Sequence, residues 1–186
     1  MLIYSSKSKP IVDGLKAKGW GNDMIMCYVK YLEKKRKILR TGRTSSRDSA
    51  RGKTYKAEWA FQNKCKDDIK EFSTAKEVQA YVKKVLKSKL WKDLTDGKQV
   101  SVHVSSSKKR IAGTAYGSRI TISAMYGMDE YTVLHELAHC AGNMHHDVSF
   151  RACVLKLTSR FIGTKAAKVL KQEFRKEKLK LSLPTS

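Results

Sequence analysis

Acidic residues are scarce in this chain. Seventeen Asp and Glu stand against 39 Lys and Arg in 186 residues, a formal charge of +22. A compact body so charged repels itself, which points to a polyanionic partner, nucleic acid by default. Long apolar runs are missing too. No segment could span a bilayer, and the basic residues are spread along the chain, so no membrane partner is expected. A signal peptide is not expected either, because Lys7 falls where its apolar stretch would be. Cysteine is sparse: Cys27, Cys65, Cys140 and Cys153 form no C-x-x-C pair and sit in apolar-patterned segments. They read as buried thiols of a reducing cytoplasm rather than as disulfides or metal ligands.

What remains suffices for one domain with an extension. Ile25, Tyr28, Val29 and Leu32 fall at helical spacing within a helix expected from about Asn22 to Leu39, ahead of the basic run Lys34-Lys35-Arg36-Lys37. The stretch from Arg40 to Lys53, with Arg43, Arg47 and Arg51, is basic and rich in Ser and Gly, and reads as a mobile arm. Residues 1–53 are therefore expected to form a basic helical extension, and residues 54–186 a compact domain. In the latter, Thr74 and Glu77 make a capping box ahead of Val78, Tyr81, Val82 and Val85. Val100, Val102 and Val104 alternate with polar residues, as do Ile120 and Ile122 after the turn at Tyr116-Gly117-Ser118. These segments, with Ile111 to Tyr116, predict a small antiparallel sheet. Helices are expected from Asp129 to Ala141, closed by Gly142, then from Asp147 to about Gly163, and from Lys165 to Leu179. The order is that of an α+β fold. His103 is expected to face solvent from its strand, and Trp20, Trp59 and Trp91 to anchor the core or its edges.

One segment carries chemistry. His135-Glu136-Leu137-Ala138-His139 is H-E-x-x-H, and on a helix two histidines four apart can reach one metal ion. Glu136 lies on the neighbouring flank, where a carboxylate can take the proton of a metal-activated water. Four of the five histidines (His135, His139, His145 and His146) fall within twelve residues. A shuffled chain of this composition would contain the motif roughly once in two hundred trials. A catalytic Zn2+ site needs a third protein ligand and an open position. His145 completes the longer H-E-x-x-H-x-x-G-x-x-H spacing, but no methionine follows Met144 to form the turn that pattern requires. His146 is the other candidate.

The chain resembles the SprT-like zinc metallopeptidases, and more closely the small putative metallohydrolases of phages and actinobacteria. The resemblance runs from about Lys56 to the C-terminus. It rests on Glu77-Val78-Gln79-Ala80-Tyr81-Val82-Lys83-Lys84-Val85-Leu86, on Val133-Leu134-His135-Glu136-Leu137-Ala138-His139, and on His146-x-x-x-Phe150. It implies a minimal zincin-like fold, with the sheet packed on the H-E-x-x-H helix, and His146 as third ligand. It also implies that the strand from Ile120 to Ser123 takes extended substrate by edge addition, and that proteins bound to DNA are cut. Location in a host cytoplasm or association with a virion would follow if the chain is phage-encoded. Asp147 stands where the family has Gly, and the family's C-terminal four-cysteine ribbon has no counterpart here.

Two functions are consistent with these features: a zinc peptidase working near nucleic acid, with a protein or peptide as substrate, and a basic nucleic-acid-binding or virion protein whose zinc is structural or inactive. Glu136 favours the first, since a structural site needs no general base. If the basic runs contact phosphates, binding to DNA or RNA will be insensitive to sequence and will weaken steeply with salt. Replacing Lys34, Lys35, Arg36 and Lys37 should flatten the slope of log affinity against log salt. Absence of binding at low salt would remove nucleic acid as a partner.

Overall fold

A computed structural model describes residues 13, 17, 48–106 and 110–181. The chain divides after Arg47 into two units, 1–47 and 48–186. The helix expected over residues 22–39 and the basic positions Lys34 to Arg47 lie outside the described residues. Among the described residues the fold is α+β, with six α-helices and one three-stranded mixed sheet. No helix there is long and apolar enough to cross a membrane.

The expected arm ends early. Helix α1 spans Arg51–Lys64, so Arg51 to Lys53 are its first turn rather than a loop. Its inward face is Thr54, Ala57, Glu58 and Phe61, at helical spacing, with an acid among apolar and small neighbours. Helix α2 (Ala75–Lys87) starts at the expected cap: Thr74 Oγ1 accepts from Glu77 N at 3.2 Å, and Glu77 reaches back to Ser73 N at 3.2 Å. A short helix α3 (Lys89–Thr95) buries Trp91, whose Nε1 donates to Lys98 O at 2.7 Å.

Strands β1 (Ser101–Ser105), β2 (Gly113–Tyr116) and β3 (Arg119–Ser123) pair in the order β1-β3-β2. β2 and β3 form the antiparallel hairpin expected at Gly117, but β1 runs parallel to β3. The sheet is therefore mixed, not antiparallel. Alternation marks where strands lie, not which neighbour each takes. Burial decided it here: Ile120 and Ile122 are fully buried, so β3 takes the centre, while the half-exposed alternations of β1 and β2 suit edges. His103 is exposed, as expected.

Helix α4 (Glu130–Cys140) packs on β2 and β3 and is buried along nearly its whole length. Asp129 caps it, accepting from Thr132 N at 2.8 Å. Its start is also clamped from outside: Phe72 N donates to Met128 O at 2.7 Å, and Glu130 N to Lys70 O at 2.8 Å. Helices α5 (Val148–Phe161) and α6 (Thr164–Lys176) follow, with α6 packed against both α1 and α5. Cys65, Cys140 and Cys153 are buried free thiols. Trp91 is the expected anchor, but Trp59 is 73% exposed, because it lies off the inward face of α1. Trp20 lies outside the described residues.

Gly127, between β3 and α4, sits tightly against a neighbouring backbone: a Cβ there would lie 2.0 Å from Ala112 O. Gly127→Ala should cost about 1–3 kcal/mol in chemical denaturation. Gly52→Ala, in the first turn of α1 with open space around it, should instead stabilise by about 0.5–1 kcal/mol.

Candidate metal centre

Helix α4 sets His135 and His139 one turn apart on one face. The chain then turns back through Gly142, at φ +100°, and Asn143, whose Nδ2 donates to Ala138 O at 2.9 Å. That turn delivers His146 beside the other two. Ligand nitrogens of His135, His139 and His146 all lie within 4.8 Å of one another, and His145 is not part of the group. Asp147 follows His146, and its carboxylate caps α5, accepting from Phe150 N at 3.0 Å.

Each Nδ1 has an oxygen partner. Nδ1 of His135 donates to Glu58 Oε1 at 3.1 Å, that of His139 to Asn143 O at 2.6 Å, and that of His146 to Asp48 Oδ2 at 2.5 Å. A carbonyl or ionised carboxylate can only accept, so each neutral ring carries its proton on Nδ1 and keeps a lone pair on Nε2. Nε2 of His135 and Nε2 of His146 then face each other at 3.3 Å. Two facing lone pairs are reconciled by a shared proton or by a metal ion. Four nitrogens at Zn–N distances of about 2.0–2.1 Å around a tetrahedral centre stand about 3.3–3.4 Å apart, which this pair matches. The three histidines, two buried and His139 half-buried, thus lie close enough to hold one metal ion, and an all-imidazole set suits zinc, copper, iron or nickel.

Phe150 forms the floor of the cluster. Its ring stacks on His139 at 4.5 Å and meets His135 and His146 edge-on at 4.9 and 4.7 Å. Tyr55 closes another side, 4.8 Å from His146. Burial pushes His139 down to about 4. Burial also lowers His146, offset only in part by Asp48. At His135 burial acts the same way, but the Glu58 carboxylate outweighs it and leaves the ring above its ordinary value.

Glu136 is 6% exposed, and burial pushes its carboxyl up to about 7. It faces Gly113 of β2 so closely that a Cβ there would lie 2.7 Å from its Cγ and Oε1. A cavity of about 640 Å3 opens beside His135 and Glu136, walled by Tyr55 and Trp59 of α1, by Ile111 and Gly113, and by Tyr126. Arg51, expected among the nucleic-acid contacts, lies at this cavity with its guanidinium 5.3 Å from the Tyr55 ring centre.

The strand expected to take substrate cannot do so by edge addition. β3 is flanked on both sides, and the strand beside the cavity is β2. The two-residue turn makes Tyr116–Arg119 a hydrogen-bonded pair, and Ser123 N donates to Ala112 O at 2.8 Å. By alternation, Gly113 and Ala115 turn their N–H and C=O away from β3 toward the outer edge.

Asp48, Glu58, Tyr55 and Tyr131 were not singled out in the sequence. Glu58 had a signal, an acid on the inward face of a helix in an acid-poor chain. Asp48 had none beyond being a lone acid in a basic run. No family model matches the chain, and neither does any curated protein or solved structure.

Between its ordinary value of 4.5 and about 7, the folded protein keeps a proton on Glu136 that the unfolded chain has released. The metal-free protein should therefore lose stability as pH rises through that window, and stay low above it. Glu136→Gln removes the penalty. Its stability relative to the parent should improve from about pH 5 to about pH 8, by up to about 3 kcal/mol. An equal difference at both pH values would refute burial as the cause.

Proposed function

We propose that this chain is a zinc metallopeptidase of the SprT-like, zincin-like kind. The observation that carries the reading is the convergence of three Nδ1-anchored imidazoles beside a buried glutamate and an open cavity. A structural zinc site is normally closed by four protein ligands. Among the described residues three converge, and a cleft opens beside His135 and Glu136.

Zinc held by His135, His139 and His146 would supply the Lewis acidity that brings a water toward deprotonation near neutral pH. Glu136 would act as general base, taking the proton of the attacking water as its oxygen adds to the peptide carbonyl. A carboxyl poised near 7 is suited to accept a proton and give it back, here to the leaving amine. Gly113 leaves the space that Glu136 occupies, so β2 and the base fit only because this position has no side chain. The outward groups of Gly113 and Ala115 can pair with an extended peptide laid along β2, which would bring its carbonyl past Glu136. Trp59, Ile111 and Tyr126, all substantially exposed, offer apolar surface to its side chains. The excess positive charge favours a workplace on nucleic acid, so protein substrates bound to DNA or RNA are the class proposed.

Glu136→Gln should keep the metal and the fold while hydrolysis of an unfolded protein substrate falls by about 10²–10⁴-fold. The assay compares metal-loaded parent and variant, with and without DNA. Equal rates in the two proteins would exclude Glu136 as the base.

A further inference from the structure

Two of the three imidazoles are oriented by carboxylates from one short stretch of chain that precedes the motif by some eighty residues of sequence. Asp48 Oδ2 accepts from both the backbone N and Nδ1 of His146, at 3.0 and 2.5 Å. Glu58 Oε1 accepts from His135 Nδ1 and from the Tyr131 hydroxyl, at 3.1 and 2.9 Å. Asp48 lies three residues ahead of α1, its carbonyl accepting from Arg51 N at 3.1 Å, so the two acids sit on one short stretch of chain. His139 differs: its acceptor, Asn143 O, belongs to the turn that follows α4.

We propose that Asp48 and Glu58 are positioning residues that set the affinity of the site for its metal ion, and that residues 48–58 form a clasp tightened by metal binding. The proposal rests on the histidine cluster being a metal site. Its physical basis is twofold. A carboxylate on Nδ1 fixes the tautomer and makes Nε2 a stronger donor, and loss of such partners commonly weakens metal binding 10- to 100-fold. A cation on Nε2 in turn makes Nδ1–H a better donor, so by linkage the same free energy ties the segment down. The charge balance agrees. In a chain short of acids, Asp48 and Glu58 both stand against the histidine cluster, and carboxylates there offset the charge of a buried divalent cation.

The experiment is chelator competition for zinc in the full chain, comparing the parent with Asp48→Asn, Glu58→Gln and Lys56→Ala. Lys56 lies on the same helix and holds only an exposed ion pair to Glu177. Each carboxylate variant should bind zinc about 10- to 100-fold more weakly, with Lys56→Ala at parent affinity. A purely structural role would lower the melting temperature of the metal-free protein and leave zinc affinity unchanged. Should the carboxylate variants fail to fold, hydrogen exchange on the parent decides: zinc should slow exchange of the amides of residues 51–58. Parent-like affinity in both variants, or exchange indifferent to zinc, would overturn the clasp while leaving the metal site intact. A parent that binds no zinc would instead overturn the metal site, and the clasp with it.

Discussion

Imidazoles gathered inside a protein converge on one point only if their far nitrogens are already occupied. Glu58, Asp48 and the carbonyl of Asn143 do this for His135, His146 and His139. Much of the fold serves to bring these acceptors to the same place. α1 must lie across α4 for Glu58 to arrive, and the turn at Gly142 must fold back for Asn143 to arrive. The chain must also enter α1 past His146 for Asp48 to arrive. Phe150 then seals the cluster from below with an apolar surface, which strengthens every electrostatic interaction above it.

A second constraint follows from the first. Glu136 is drawn into the interior by its neighbours on α4, and a buried carboxyl is costly to ionise. The structure accommodates it by leaving Gly113 bare and by letting its pKa rise. Glu136 thus carries its burial cost at the cavity wall, while Asp129 and Glu77 cap helices elsewhere.

Much of this was legible in the chain because it is local. The capping box at Thr74, the hairpin at Gly117, the helix from Glu130 and the stop near Gly163 all depend on residues a few positions apart. The spacing of His135 and His139 is local in the same sense. The direction of β1, the burial of β3 between two neighbours and the approach of Asp48 to His146 depend on contacts between distant segments, which periodicity does not carry. The choice of His146 over His145 shows the boundary well. Spacing alone leaves two adjacent histidines, of which the family resemblance prefers His146, and it is the Asp147 cap and the Asn143 turn that bring His146 into the group.

The central claim is that three imidazoles hold one metal ion through Nε2 with a position left open. X-ray absorption spectroscopy on the chain loaded with zinc measures this directly. The account predicts one zinc per chain, with one shell of three imidazole nitrogens at about 2.0–2.1 Å and a further light-atom neighbour. A sulfur shell at about 2.3 Å, or well under one equivalent of bound metal, would contradict it.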